Sequence, residues 1–146
     1  MMKGIITTIL LSVTLAGAGI ETETELPYSQ DDLYCLAHII NAEAGDENCT
    51  HEHRIAVGSV VLNRVASDIY PDTIQDVVFQ PGQYSPTWDG SYDEEPSEDS
   101  WAVAEMLLTE GSQLPENCLF QAEFTQGTGV YQTFKTIYGT TYICYR

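Results

Sequence analysis

The residue pattern changes once along the chain, between Gly111 and Cys118, and this change constrains the fold more than any other feature. Before it, apolar residues recur at intervals of three and four, which is typical of amphipathic helices. After it, β-branched and aromatic residues dominate, which is typical of strands. The predicted strands span residues 118–122, 130–137 and 140–145, with a Tyr138-Gly139 turn before the last. Helices followed by a small antiparallel sheet predict an α+β domain.

Four helices are predicted before this change. Ser29, with Asp32 three positions later, forms a capping box that starts the first helix, and Gly45 ends it. The second helix runs from about Glu52 to Ala66, and its apolar residues cover most of the circumference, which predicts a central buried helix. The other two are a short helix opened by Pro71-Asp72-Thr73 and a helix capped by Ser97 and ended by Gly111.

Two further segments carry predictions about packing and function. Gly58 lies in the middle of the second helix, where glycine lowers helix stability, so it indicates the close approach of another backbone. Residues 80–96 contain three prolines, two glycines and three aromatic residues without a clear period. We predict a long loop there, and its aromatic content favours a functional loop.

Glu43 is the strongest candidate for a catalytic residue. It shares one helical face with Leu33, Leu36 and Ile40, because the spacings of three and four match the 3.6-residue period. Burial of that face should carry the carboxyl into the core or the floor of a cleft, where desolvation raises its pKa. A carboxyl that keeps its proton can cleave a glycosidic bond. The alternative is a solvated glutamate beyond the last helical turn.

The first 18 residues have the layout of a secretory signal peptide. Lys3 precedes an apolar run, and the small residues Ala16-Gly17-Ala18 stand at the cleavage position. An uncleaved anchor is the alternative, although the run is short for a membrane span. We interpret residues 19–30 as an acidic leader and residues 31–146 as one domain. The mature protein is expected to be secreted as a monomer that does not contact the membrane.

The charge of the chain excludes one class of partner. There are 22 acidic residues against five lysines and arginines, which gives a formal net charge of −17. Such a surface repels phosphate groups, so we exclude nucleic acid and anionic lipid surfaces. A glycan remains compatible, since sugars are recognised by hydrogen bonds and stacking. The charge also keeps an exported protein soluble.

The cysteines of an exported chain indicate up to two disulfides. They are Cys35, Cys49, Cys118 and Cys144, which allow three pairings. Bridges from the helical part to the strand part are favoured, and four free buried thiols are the alternative.

A possible metal site involves Cys49, His51 and His53, which lie close together in sequence. Their spacing is not that of an HExxH motif. An exposed loop tied by a disulfide explains residues 47–53 better, and we predict neither a metal nor a cofactor.

Four segments occur in one order and together resemble a known family. They are Asn41-Ala-Glu-Ala-Gly45, Val57-Gly-Ser-Val-Val-Leu-Asn-Arg-Val65, Tyr70-Pro-Asp-Thr-Ile74 and Gln80-Pro-Gly-Gln-Tyr-Ser85. Over roughly Asp31 to Tyr145 the chain resembles the SleB-like cell wall hydrolases, the catalytic domain of spore-cortex lytic enzymes. This resemblance implies a lysozyme-like fold and a peptidoglycan substrate in a bacterial cell wall, whether the chain is bacterial or phage-encoded.

The resemblance also implies a reaction. The family's catalytic glutamate falls on Glu43, and the bond cleaved joins N-acetylmuramic acid to N-acetylglucosamine. A lytic transglycosylase is favoured, in which a single acid protonates the leaving oxygen and then accepts the proton of the muramyl C6 hydroxyl, leaving a 1,6-anhydro end. Hydrolysis normally needs a second carboxylate, for which Asp89 is the candidate. Asp46 and Glu47 are expected to point outward.

Seven residues are candidates for substrate binding: Asn63, Gln83, Tyr84, Trp88, Tyr92, Gln121 and Phe124. Gln83 and Tyr84 lie in the segment similar to the family's QPGQ-aromatic motif, which implies hydrogen bonding and ring stacking. The other two loop aromatics would extend the sugar platform, or else plug their own loop. Asn63 either contacts substrate or bonds a neighbouring backbone, and the last two residues are expected on the opposite wall of the groove.

Two other classes of protein remain open. One is a catalytically idle glycan-binding module, and the other is a small secreted inhibitor whose acidic charge binds a basic partner. A pure binder has no need for a carboxylic acid at a helix end, so the Asn41–Gly45 segment disfavours both.

Overall fold

The computed structural model describes residues 25–146. The helices are α1 Gln30–Ala44, α2 His51–Ala66, α3 Ile74–Val78, α4 Pro86–Asp89 and α5 Glu98–Glu110, with a 3₁₀ turn at Ser91–Asp93 before α5. The strands are β1 Cys118–Ala122, β2 Gly129–Thr136 and β3 Gly139–Tyr145. This order confirms the predicted α+β class. The four predicted helices correspond to α1, α2, α3 and α5, and α4 was not predicted.

The ends of α1 follow the local sequence. The Ser29 side chain accepts a hydrogen bond from the Asp32 backbone, and the Asp32 side chain accepts one from the Ser29 backbone, so the capping box is present. Gly45 ends the helix as predicted, but its φ is −78° rather than positive. A Cβ at Gly45 would lie 2.5 Å from Oδ1 of Asn41. Glycine is therefore needed for space and not for a left-handed backbone.

Asn41 fastens the end of α1 to the start of α5. Its Oδ1 accepts hydrogen bonds from the Ser97 backbone at 3.0 Å and from the Ser100 hydroxyl at 3.1 Å. Ser97 is also the N-cap of α5. The last turn of α1, which carries Glu43, is thus held in a fixed position.

The sheet has the strand order β1–β3–β2, and both pairs are antiparallel. β2 and β3 form a hairpin whose two-residue turn is Ile137–Tyr138, one position earlier than the predicted turn. β1 packs against α2. The face of the sheet that carries Cys118 of β1 and Ile143 of β3 therefore packs on α2.

The second helix is central, as its apolar circumference predicts. Val57 packs in the main core with residues of α1, α3 and α5, whereas Ala56 and Val60 pack in a second cluster with Cys118 and Ile143 of the sheet. Full burial of such side chains contributes about 1.5–3 kcal/mol each. Helix α2 consequently joins the helical part to the sheet.

Gly58 on α2 is approached closely, although by side chains and not by a backbone. A Cβ there would lie 2.5 Å from Cδ1 of Leu107 and 2.8 Å from Cδ1 of Ile40. We expect Gly58→Ala to lower the free energy of unfolding by about 1–2 kcal/mol, because overpacking outweighs the gain in helix propensity. Urea denaturation of both proteins measures this, and an unchanged or higher free energy for the variant would contradict it.

The cysteines are all free thiols, so the expectation of disulfides is wrong for this structure. Cys35 packs in the main core and Cys118 in the second cluster. This separation is the reason why the helical and strand cysteines do not pair. Burial raises the pKa of the Cys35 thiol to about 11, which keeps it protonated at neutral pH.

Residues 80–96 are more regular than the predicted loop, because they contain α4 and the 3₁₀ turn. Tyr84 and Tyr92 are buried and anchor this segment to the main core. Helices of three or four residues are too short to show a period in sequence. The prediction of an irregular loop is wrong for that reason.

The predicted signal peptide at 1–18 and most of the leader at 19–30 lie outside the described residues. Helix α1 begins at Gln30, one residue before the predicted domain start. Within residues 25–146, none of the helices combines the length and the apolar character that a bilayer span requires.

Candidate active site

Glu43 lies in the last turn of α1 and faces a cavity of about 300 Å³ between this helix end and the sheet. Gln121 of β1 lines one wall, and Thr136 and Tyr138 of the hairpin line another. The carboxyl-bearing residue is half-buried. This position at a cleft agrees with the helical periodicity that ends at Glu43.

Burial raises the pKa of Glu43 to about 7. Desolvation is the largest cause, and the negative charges of Asp89 and Glu123 act in the same direction. Gln121, whose Nε2 donates to Oε2 of Glu43 at 3.3 Å, and the Arg64 guanidinium both act against it. The carboxyl therefore keeps its proton up to neutral pH and can then take one back, as an acid-base catalyst must.

Arg64 of α2 forms a buried positive charge near Glu43. It is 4% exposed, and its Nε donates to the Leu119 carbonyl at 2.8 Å. Its guanidinium carbon lies 5.0 Å from the ring centroid of Tyr70 and 5.3 Å from that of Tyr84, distances suited to cation–π contact. Among the described residues, no carboxylate lies within 4.0 Å of this guanidinium. No carboxylate neutralises the Arg64 charge at close range, and this charge lowers the pKa of Glu43.

Arg54 holds the backbone that follows Glu43. Its Nη1 donates to Oδ2 of Asp99 at 2.9 Å, and its Nη2 donates to the carbonyls of Gly45 at 3.5 Å and Asp46 at 3.2 Å. Asp46 is exposed but lines the mouth of the cavity. The carboxylate is exposed as expected, since its Oδ1 accepts hydrogen bonds from the backbone and the side-chain amide of Asn48.

His53 lies in the first turn of α2 and lines the same cavity. It is 3% exposed, its ring stacks on Phe134 with centroids 4.5 Å apart, and burial lowers its pKa, so the ring is neutral at pH 7. Residues 47–53, expected to form an exposed loop, thus belong partly to α2 and partly to the cavity wall. Within residues 25–146, no three His, Cys, Asp or Glu side chains are grouped to hold a metal ion.

Comparison with known proteins identifies the family. The profile of the Cell Wall Hydrolase family matches residues 50–140, which is more than half of the chain. The chain belongs to the cell wall hydrolase family. The matched range begins after Glu43, so the role of that residue rests on the geometry of the site.

Curated relatives of this family member are spore cortex-lytic enzymes. The enzyme of Oceanobacillus iheyensis is 37% identical over 71 residues, and that of Bacillus subtilis is 31% identical over 71 residues. Each alignment covers 49% of this chain, but 25% and 23% of the two relatives, respectively. The chain therefore spans about a quarter of the length of the curated relatives it matches.

Two solved structures share the fold of this cell wall hydrolase family member. One is the catalytic domain of the germination-specific lytic transglycosylase SleB from Bacillus anthracis, with a TM-score of 0.62, 25% identity, and coverage of 80% of this chain and 96% of that one. The other is the catalytic domain of Bacillus cereus SleB, with a TM-score of 0.64, 24% identity, and coverage of 80% and 91%. These similarities confirm the SleB-like resemblance and the predicted lysozyme-like fold.

Four of the predicted substrate-binding residues have positions compatible with that role. Gln121 lines the cavity, and Gln83 is exposed with its Oε1 accepting from Arg64 Nη1 at 3.5 Å. Because arginine only donates, the amide NH₂ of Gln83 is left to donate to a ligand. Trp88 and Phe124 are 62% and 65% exposed. Both lie outside the cavity lining. Trp88 precedes Asp89 in sequence and Phe124 follows Glu123, and the charges of these two acidic residues raise the pKa of Glu43.

The other three predicted contacts do not fit their surroundings. Tyr84 is 2% exposed, so its ring has no free face for a sugar, and burial raises its pKa to about 12. Tyr92 is buried against His38 and Phe79, so its ring fills the space beneath its own segment and does not face a sugar. Asn63 donates to the backbone carbonyls of Pro115 and Cys118, so it bonds a neighbouring backbone instead of facing a substrate.

Sequence reasoning missed several groups that surround Glu43. Arg64 lies within the segment that carries the family resemblance, and this position was the one available signal for it. His53 was considered only as a possible metal ligand, and Glu123 and Tyr138 carry no local signal, because all three meet Glu43 only when the sheet docks on the helices.

Proposed function

We propose that this chain cleaves peptidoglycan glycan strands between N-acetylmuramic acid and N-acetylglucosamine as a lytic transglycosylase, with Glu43 as the catalytic residue. The observation that carries this proposal is the half-buried carboxyl at the cavity, whose pKa is raised to about 7. Family membership and the similarity to the SleB catalytic domain support the choice of substrate.

In the proposed reaction Glu43 acts twice. It first donates its proton to the leaving glycosidic oxygen while the bond from that oxygen to the muramyl C1 breaks. As a carboxylate it then takes the proton of the C6 hydroxyl, whose oxygen bonds to C1 and closes the 1,6-anhydro ring. No water is consumed and the glutamic acid is restored. A pKa near 7 suits both steps, because neither the acid nor the base form is strongly favoured at neutral pH.

The neighbours of Glu43 have supporting roles in this proposal. Gln121 Nε2 holds Oε2, which leaves the other carboxyl oxygen to carry the proton. The exposed Trp88 and Phe124 provide ring faces for sugars beyond the cavity, and Gln83 provides an amide donor. The protein is proposed to act in the cell wall, outside the membrane.

The mass of the products tests this reaction. Purified protein is incubated with peptidoglycan, and the released fragments are weighed by mass spectrometry. Transglycosylation gives ends that are one water lighter than hydrolysed ends, and a glycan-binding module without activity releases no fragments. Hydrolysed ends alone would contradict the proposed reaction while leaving the substrate unchanged.

A hydrolytic muramidase is the second candidate, because Asp89 supplies a second carboxylate. Hydrogen bonds from Ser91 hold the pKa of Asp89 below its ordinary value, so it is ionised at neutral pH. We expect Asp89→Asn to retain the anhydro products and to shift the alkaline limb of kcat/KM to lower pH, since the Asp89 charge raises the pKa of Glu43. Rates on peptidoglycan from pH 4 to 9 measure the shift, with Asp93→Asn as the matched control. Loss of activity in Asp89→Asn would favour hydrolysis.

A further inference from the structure

The exposed positive charge of this acidic chain is confined to its last strands. All 22 acidic residues lie within residues 21–123, and residues 124–146 contain none. Of the lysines and arginines in the described part of the chain, Arg54 and Arg64 are buried, whereas Lys135 of β2 and Arg146 after β3 are exposed. An anionic ligand is therefore attracted to the β2–β3 hairpin and repelled by the acidic residues elsewhere.

Lys135 has no anionic partner within the protein and lines a cavity of its own. Within residues 25–146, no carboxylate lies within 4.0 Å of its ammonium group. The cavity has a volume of about 140 Å³ and is also lined by Asn48, Thr50 and Thr133; we call it the lysine cavity. Ammonium, amide and hydroxyl groups all donate hydrogen bonds. A carboxylate, which only accepts them, complements this set.

The lysine cavity adjoins the cavity of Glu43. His53 and Thr136 line both, so the two cavities share a wall. The chemistry of peptidoglycan connects them as well. The muramyl ring whose C1 is attacked carries its stem peptide on the lactyl group at C3, so the peptide leaves the same ring on which Glu43 would act. A peptide that leaves this ring toward the hairpin brings its carboxylates to Lys135.

One acid stands beside the lysine cavity. Asp46 accepts a hydrogen bond from the side-chain amide of Asn48 at 2.6 Å. The Asn48 amide is therefore partly engaged, and Lys135 supplies the main attraction for an anion. Because the charge of Asp46 opposes an incoming carboxylate, the gain in binding from Lys135 is expected to be modest.

We propose that the lysine cavity binds a carboxylate of the stem peptide on the muramyl sugar that is cleaved, with Lys135 as the residue that recognises it. The inference rests on the proposed function and deepens it, because it gives the peptide a contact with the enzyme in addition to the glycan. The carboxylate lies away from the reacting atoms, so the contact is equally strong before and during bond cleavage. Such a contact lowers KM and leaves kcat unchanged.

Neutralising the carboxylates tests the proposal without removing the peptides. Soluble peptidoglycan strands are treated with a carbodiimide and ammonium chloride, which converts the carboxylates into primary amides. We expect the wild-type KM to rise roughly 3- to 10-fold on the amidated strands with little change in kcat, because the charge-assisted contact with Lys135 is lost. General repulsion between the acidic protein and the anionic strands has the opposite sign, since amidation relieves it and lowers KM.

Three variants assign the effect to Lys135. Lys135→Gln leaves only the general repulsion, so its KM should be equal or lower on the amidated strands. Lys135→Arg keeps the positive charge and should prefer the untreated strands, as the wild type does. Arg146→Gln is the matched control, because it removes the other exposed cation, whose cavity shares no lining residue with the lysine cavity. It should also keep the wild-type preference.

Several results would overturn the proposal. If the wild-type KM is equal or lower on the amidated strands, or if Lys135→Gln keeps the wild-type preference, the carboxylate site is wrong while the proposed reaction stands. If Arg146→Gln loses the preference as Lys135→Gln does, the effect belongs to net charge and the site is again wrong. If the wild type releases no fragments from untreated strands, both inferences fail. Each KM ratio is measured on one protein, so a change in stability does not imitate the expected result.

Discussion

Glu43→Gln is expected to reduce the release of peptidoglycan fragments by about 10³-fold, because glutamine has no proton to donate to the leaving oxygen. The same change should raise stability at alkaline pH. The folded-state pKa of about 7 lies above the ordinary value of 4.5, so the carboxyl favours the folded state fully below pH 4.5, and this contribution is lost as the pH rises through 7. At pH 8 we expect the variant to unfold with a free energy higher by about 2 kcal/mol, after allowance for partial exposure.

Fragment release and urea denaturation at pH 4 and pH 8 measure the two effects. Glu47→Gln is the matched control, since Glu47 is exposed and lies outside the cavity lining. It should change neither activity nor the pH dependence of stability. Full lysis by Glu43→Gln would disprove the mechanism, and equal stability of the variant and the wild type at pH 8 would disprove the burial of the ionised carboxyl.

Arg64→Met is expected to have the second largest effect. It removes the donor to the Leu119 carbonyl and the cation beside the rings of Tyr70 and Tyr84, so the free energy of unfolding should fall by about 2–3 kcal/mol. Arg64 also lowers the pKa of Glu43, and its loss should move the alkaline limb of kcat/KM to higher pH. Urea denaturation and a pH–rate profile measure these changes.

Arg64→Lys separates charge from hydrogen bonding at this position. It keeps the positive charge but lacks the planar group that bonds Leu119, so stability should fall while the alkaline limb stays close to that of the wild type. If the limb of Arg64→Met moves to lower pH or does not move, the electrostatic coupling to Glu43 is wrong.

Local signals predicted the helices and the position of Glu43. The capping residues Ser29 and Ser97 act within one turn, and the apolar stripe ending at Glu43 depends only on helical period. The surroundings of the carboxyl could not be predicted in the same way. Gln121 lies 78 residues further along the chain, and Arg64 reaches the site only because α2 packs against both core clusters.

The errors among the aromatic candidates have one physical origin. Composition shows that residues 80–96 carry large rings, but it does not show which ring faces the core. Tyr84 and Tyr92 are anchors of the segment, whereas Trp88 between them is 62% exposed. Trp88 lies in the four-residue helix α4, whereas Tyr84 precedes this helix and Tyr92 follows it, and so short a helix leaves no period to detect.

The contact between Glu43 and Gln121 joins the first helix to the first strand across most of the chain. While the sheet is still undocked, water reaches the carboxyl, and at neutral pH it has already lost its hydrogen ion. An incompletely folded polypeptide therefore lacks the protonated acid on which the proposed reaction depends, and this acid forms only together with the native topology.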